Sequence, residues 1–168
     1  MALIQTIHPD LAIAQKLAYE PNGLHCGALI QEPESHDYGA CEFKMNGHSI
    51  KFRAAKITPT KVGQFVTLWK RIGNGPIMPF DMADQIDVFV ISARKDNHLG
   101  QFIFPKELLL QKGFVSKYGK GGKRAMRVYP PWDITDSSQA KKTQNWQLLY
   151  FVEIQPTMDT GKIQKLFC

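Results

Sequence analysis

Ala40-Cys41-Glu42-Phe43-Lys44-Met45-Asn46-Gly47-His48-Ser49-Ile50-Lys51-Phe52-Arg53-Ala54-Ala55-Lys56-Ile57 is the stretch that decides the fold. Asn-Gly between two runs of alternating character is the strongest short-range hairpin signal, because the favoured two-residue turn needs positive φ at both central residues. The spacing predicts strands over 40–45 and 48–57. In the second, Ile50, Phe52 and Ala54 share one face while Lys51, Arg53 and Ala55 share the other. An antiparallel pair therefore sits inside whatever sheet the chain forms.

Upstream, residues 9–19 read as a helix. Pro9 suits the first helical position, Asp10 favours the dipole end, and Leu11, Ala14, Leu17 and Ala18 form an apolar stripe. Pro21-Asn22-Gly23 stops it. Residues 24–30 suit a short strand, and 31–38 an acidic turn. Downstream, Thr58-Pro59 predicts a second helix, with Thr58 as cap and Pro59 in the first turn. Val62, Phe65, Val66 and Trp69 follow i, i+3, i+4, i+7 as its buried stripe, and Gly73-Asn74-Gly75-Pro76 ends it. A buried strand over 86–93, a polar turn at 94–98, a partner strand at 100–104 and a short helix at 105–111 come next.

Residues 112–125 are rich in Gly and Lys and read as a mobile loop, leading into the stiff Tyr129-Pro130-Pro131-Trp132 segment. Asp136-Ser137-Ser138-Gln139 has the capping-box pattern and opens a last helix to about residue 147. Residues 150–154 suit a strand. The order describes one α/β (α+β) domain over 1–168, with a mixed, mostly antiparallel central sheet flanked by helices.

The chain has 168 residues, 43% of them hydrophobic and 21% charged, enough to bury a core without disulfide staples. It has no apolar run of about 18 residues, so no transmembrane helix is expected. The N-terminus lacks the basic and apolar regions of a secretory signal. Cys26, Cys41 and Cys168 are odd in number and irregularly spaced, which excludes a zinc knuckle and fits a cytoplasmic location.

The net charge of +6 is unevenly distributed. Residues 1–40 hold one lysine against five acids, a balance of −4, and residues 41–168 hold twenty cations against ten acids, a balance of +10. Phe43–Phe80 carries seven basic residues and no acid, and Leu108–Trp132 carries six and no acid. Cations neutralise phosphates and aromatics stack on bases, so this pattern points to a nucleic-acid partner. The expected contacts are Arg53, Lys56, Thr58, Thr60 and Lys61 in the first window. In the second they are Lys117, Lys120, Lys123, Arg124, Arg127, Tyr129 and Trp132. Lys56-Ile57-Thr58-Pro59-Thr60-Lys61 would carry a strand into a helix N-terminus, an anion site by its free N–H groups.

Signatures of other chemistries are missing. There is no GxSxG elbow, no HExxH helix, and Gly119-Lys120-Gly121-Gly122-Lys123 lacks the P-loop spacing. The five histidines are scattered. Asp81, Asp84 and Asp87 lie three apart, where they either cap turns or hold a divalent cation.

Residues 51–71 resemble the MepB family closely. So do Phe102-Ile103-Phe104-Pro105, Gly122-Lys123-Arg124, Arg127-Val128-Tyr129-Pro130-Pro131-Trp132-Asp133 and Lys142-Thr143-Gln144-Asn145-Trp146. The resemblance runs in order from about residue 38 to 152. The element order is also similar to the PD-(D/E)XK nuclease core. That likeness implies catalytic roles for Glu42 on the second strand, Lys56 on the third and Gln64 on the following helix. Mg²⁺ would be held by Glu42 with a second acid, Asp37 or Asp87. The triplet reads Ala54-Ala55-Lys56, so the second acid of that motif is missing. The expectation is a nucleic-acid-binding protein, DNA foremost, with an incomplete catalytic motif. The alternatives are a divalent-metal nuclease and a non-enzymatic regulatory or interaction protein.

Overall fold

The computed structural model describes residues 7–156 and 160–167. Met1–Thr6, read above for a secretory signal, and Cys168, read with the other cysteines, lie outside them.

The elements run in chain order: helix α1 (Pro9–Ala14); strands β1 (Ile30–Gln31), β2 (Cys41–Met45), β3 (His48–Ala54), β4 (Lys56–Ile57), β5 (Gln64–Thr67), β6 (Trp69–Arg71), β7 (Ile77–Pro79), β8 (Val88–Lys95) and β9 (His98–Pro105); helix α2 (Lys106–Gln111); strand β10 (Ala125–Val128); helix α3 (Ser138–Leu148); strand β11 (Phe151–Glu153); and helix α4 (Thr160–Leu166). The main sheet has the order β1-β2-β3-β8-β9-β11. A three-stranded sheet has the order β10-β5-β4, and β6 and β7 form a separate hairpin. Among the described residues the named strands pair antiparallel except β3 with β8, and an isolated parallel bridge joins Asp81 to Ser116. The architecture is the mixed α+β arrangement the sequence implies.

The Asn46-Gly47 hairpin forms, but its second strand, read over 48–57, ends at Ala54, and Lys56-Ile57 join the small sheet as β4. Met45 pairs with His48, and both turn residues have positive φ, 48° and 84°. α1 is followed by a π turn at Gln15–Tyr19 and a 3₁₀ turn at Glu20–Asn22, so the first helical region spans the expected residues. Of the 24–30 segment only Ile30 joins a regular strand. α3 begins one residue later than the capping-box pattern placed it: Ser137, not Asp136, accepts from the Ala140 amide.

Two differences change the site. Residues 58–71 are not a helix. They form a loop, β5 and β6. Gly63 has φ +84°, and a Cβ there would lie 2.7 Å from the Tyr129 ring and 2.8 Å from the Val128 carbonyl, so the chain must pass this point in a left-handed conformation. Beyond it Gln64, Val66 and Leu68 are buried while Phe65, Thr67 and Trp69 are half-buried, which is a period of two. The helix N-terminus expected at Thr58 does not exist.

Residues 112–125 are also not free. The Asp81 carboxylate accepts from the Ser116 hydroxyl (2.7 Å) and the Gly119 amide (3.0 Å). Lys117 and Lys120 exchange backbone hydrogen bonds, and Lys123 donates to the Phe114 carbonyl. Donation from the Ala83 amide, then from Ser116 and Gly119, lowers the Asp81 pKa to about 2 by stabilising its charged form.

The core lies on both faces of the main sheet. Ile50, Phe52, Val88, Val90 and Ile103 pack on one side with α1, the π turn and α4. Phe89, Ile91, Phe102 and Phe104 pack on the other with Val66, Met126 and Val128 of the small sheet and Leu108 and Leu109 of α2. A buried polar chain runs through the first layer: Tyr19 donates to Gln101, which donates to Ser92. Burial pushes the Tyr19 hydroxyl pKa far up, keeping it a neutral donor. Among the described residues no helix is long and apolar enough to cross a membrane.

Candidate binding surfaces

The small sheet brings several of the expected contacts together. Lys56 pairs with Phe65, and Arg127 pairs with Phe65 from the other side. Paired residues project to the same face, so Lys56, Phe65 and Arg127 form one cross-strand row. This face is turned away from the buried Gln64, Val66, Met126 and Val128. The Lys56 ammonium lies 5.0 Å from the centre of the Tyr38 ring, and Tyr38 packs edge-on against Phe65. Asp37 lies 4.0 Å from Lys56, and both are largely exposed, so that ion pair is weak.

At the end of the row Arg127 shapes the 58–63 loop. Its guanidinium donates to the Thr58 hydroxyl (3.0 Å) and to the carbonyls of Val62 and Gly63 (3.3 Å each). Thr60 and Lys61 are exposed on that loop, and Tyr129 packs over Gly63. Lys117, Lys120, Lys123 and Arg124 are exposed on the segment that feeds β10. None of these four, nor Lys61, has an acidic partner among the described residues.

Other expected contacts are spent inside the protein. Arg53 is 1% exposed and is held by both oxygens of Glu32 and by the Phe52 carbonyl. It is not a surface cation. Trp132 stacks on His98 (5.2 Å between ring centres) and meets Phe151 edge-on, so its ring serves the fold.

The expected catalytic set is distributed over different elements. Glu42 on β2 accepts from Lys51 at 2.7 Å. Lys56 lies on β4 of the small sheet. Gln64 opens β5 instead of lying on a helix; it is buried and donates to the Arg94 carbonyl. For the expected metal, Asp87 accepts from the Ser49 amide (2.7 Å), and among the described residues no three His, Cys, Asp or Glu side chains group as a metal site. Asp84 accepts from the Asp81 amide and Asp81 from the Ala83 amide, so these two cap local backbone, while Asp87 ties its segment to Ser49 on β3.

A second feature was not anticipated. The layer that covers Phe89 and Phe102 does not extend over β1–β3. There the sheet face, the β6–β7 hairpin and residues 80–86 enclose a cleft of about 710 Å³. A smaller extension of about 230 Å³ shares Ile30, Glu42, Lys51, Lys70 and Phe80 with it and reaches Glu32, Ser35 and Arg53. Two ion pairs line the main cleft, Lys51 with Glu42 and Lys70 with Asp84 (2.6 Å). Lys51 also reaches Glu32 at 3.3 Å, and the Phe80 ring lies 5.5 Å from its ammonium. The hairpin register carried part of this signal, since a two-residue Asn46-Gly47 turn sets Glu42 opposite Lys51.

A search of the curated proteins finds no match. Among solved structures, one described as "Crystal Structure of MepB" matches with a TM-score of 0.75 and 32% sequence identity, over 87% of this chain and 97% of that one. The MepB-like family model matches residues 32–153, which takes in the hairpin, the small sheet, most of the cleft lining and β11. With most of its length inside that match, the chain belongs to the MepB-like family.

Proposed function

We propose that the protein binds nucleic acid through the outer face of the small sheet and does not cut it. The observation that carries this reading is the cross-strand row of Lys56, Phe65 and Arg127, flanked by Lys61, Lys117, Lys120, Lys123 and Arg124, which lack acidic partners among the described residues. Cations left unpaired beside half-exposed aromatic rings suit a phosphodiester backbone with bases turned to the surface. Thr58 and Thr60 add hydroxyls at one end of the row.

The absence of cutting rests on how the expected catalytic groups are engaged. Glu42 is neutralised by Lys51, and Gln64 is buried against a carbonyl. Lys56 lies on a separate sheet from Glu42. A hydrolytic Mg²⁺ centre needs at least two carboxylates converging with a lysine on the attacking water.

Titration of single- and double-stranded DNA and RNA at several salt concentrations, with Mg²⁺ and with chelator, tests both parts. Affinity is expected to fall steeply with salt, with a slope of about −0.9 per neutralised phosphate on duplex. Lys56→Ala and Lys61→Ala should each reduce that slope by about 1. Binding that ignores salt overturns the reading. Mg²⁺-dependent cleavage that Lys56→Ala abolishes overturns its second half and favours a nuclease.

A further inference from the structure

β1 is the terminal strand of the main sheet, and among the described residues no strand pairs with its outer edge. Glu32 donates its amide to the Ala40 carbonyl, so in this antiparallel pair residues 30 and 32 are the ones bonded across to β2. The amide and carbonyl of Gln31 therefore turn outward. Sheet edges are commonly blunted by charged side chains, and the outer strands of the small sheet carry Lys56 and Arg127. The run Ala28-Leu29-Ile30-Gln31 has no charge, and Ile30 is 54% exposed.

A cavity lies on each side of this edge. Ala28 and Ile30 border the cleft of about 710 Å³, and Ile30 pairs with Glu42 on its floor. Leu29 and Gln31 border a pocket of about 240 Å³ on the opposite face, where Gln31 pairs with Cys41 of the α1-side core. Ile7 and Pro9 complete its apolar wall. Two ring nitrogens in that wall are already engaged: His8 Nδ1 accepts from the Asp10 amide, and His36 Nε2 donates to the Glu32 carbonyl. Consecutive side chains of an extended peptide laid along β1 would enter the two cavities in turn. Charge decides what the cleft side takes. Lys51 and Lys70 are paired with Glu42 and Asp84, whereas Lys44, also lining the cleft, has no acidic partner among the described residues.

We propose that β1 receives an extended segment of a protein partner as a further strand of the main sheet, with an acidic residue toward Lys44 and an adjacent apolar residue in the pocket beside Cys41. Main-chain bonds to Gln31 hold the segment, and the two cavities select its sequence. The site shares no residue with the cationic row, so it stands or falls apart from the nucleic-acid reading.

The probe is a phage-displayed library of random heptapeptides, panned on the full chain and again on its Lys44→Glu variant. Peptides recovered on the wild-type chain should carry an acidic residue beside an apolar one, and Lys44→Glu should replace that acid by a basic residue. A synthetic copy of a recovered peptide, at about ten times its Kd, should slow amide exchange at Gln31 about tenfold and leave the β11 amides, at the other end of the sheet, unchanged. Gln31→Pro removes only the outward amide, and Ile30→Glu puts a charge on the edge. Each should weaken that peptide about tenfold, the scale of one lost hydrogen bond, with the fold checked by circular dichroism. Recovered peptides without the alternation, or a bound peptide that leaves Gln31 exchange unchanged, overturn strand addition, as does a library that yields no binder. A dimer in light scattering that Gln31→Pro dissociates gives the edge to a second copy and overturns the partner. Protection of Gln31 by a single-stranded oligonucleotide in the peptide's place overturns the protein class of the occupant.

Discussion

Removing the Glu32 carboxylate should expose how much of the fold depends on one buried cation. Arg53 keeps three of its hydrogen bonds inside the protein, two to Glu32 and one to the Phe52 carbonyl at 2.9 Å. In Glu32→Ala only the carbonyl remains. Breaking a buried pair from one side costs about 3–5 kcal/mol, because the surviving charge stays desolvated. The extension of the cleft reaches Arg53 and admits some solvent, which favours the lower figure, about 3 kcal/mol. For a chain of this size that is about 9 °C in Tm. Lys51 loses one carboxylate in the same variant but keeps Glu42 at 2.7 Å, so its share is small. Glu32→Gln preserves an acceptor and should lose about 1.5 kcal/mol. Replacing both partners, Glu32→Leu with Arg53→Met, removes the uncompensated charge and should be more stable than Glu32→Ala alone. Urea unfolding followed by circular dichroism measures all three, with an unchanged m-value licensing the comparison. A Glu32→Ala loss below about 1 kcal/mol, or a double variant weaker than the single one, would refute the reasoning.

Other consequences are open to simpler tests. Bonds from Ala83, Ser116 and Gly119 depress the Asp81 pKa to about 2, so the tie is complete above the usual carboxylate range and is lost as pH falls through about 2; amide exchange at Gly119 should rise over that interval in wild type and be raised at all pH values in Asp81→Asn. Tyr19→Phe leaves the buried Gln101 oxygen without its donor and should lower stability by about 1–3 kcal/mol in chemical denaturation; a neutral result would mean the oxygen finds another partner. At Gly100 an added Cβ would fall 2.1 Å from the Phe151 ring and 2.9 Å from the Val152 carbonyl, so Gly100→Ala should cost about 3 kcal/mol and loosen the β9–β11 pairing, read as a lower Tm.

The sequence was most legible where one local rule determined the geometry. The Asn46-Gly47 turn fixed both the register of β2 with β3 and the faces of Ile50 and Lys51, and both hold. The β8–β9 hairpin forms where the sequence places it, but its strands run into the expected 94–98 turn and leave only Asp96-Asn97 to close it. The failure at residues 58–71 has a specific cause. Val62, Phe65, Val66 and Trp69 fit a helical stripe, yet Gln64, Val66 and Leu68 fit a strand equally well. Gly63 and the run Phe65-Val66-Thr67, rich in aromatic and β-branched side chains, favoured the strand and were outweighed by the Thr-Pro start. That one choice displaced the candidate site, because the anion site at Thr58 depended on the helix. Arg53 was misplaced for a different reason: charge patterning cannot tell a surface cation from one claimed by a glutamate far away in sequence. The cleft residues Lys70 and Asp84 meet because Lys70 lies on β6 of a hairpin, where Gly73-Asn74-Gly75-Pro76 reads in sequence as the end of a helix.

The parallel pairing of β3 with β8 has a consequence for how the protein assembles. These neighbours lie inside the main sheet, yet residues 55–87 leave β3, build β4 through β7, and return before β8 can align. Parallel neighbours need such a return connection, commonly a helix; here it is made of strands, and one of them waits for β10 from much later in the chain. Zipping of the main sheet is therefore coupled to the ordering of the segment that carries Lys56 and Lys61, and long-range closure of this kind slows folding. Substitutions that loosen the small sheet should accordingly appear first as slow refolding and low yield, before any effect on affinity can be measured.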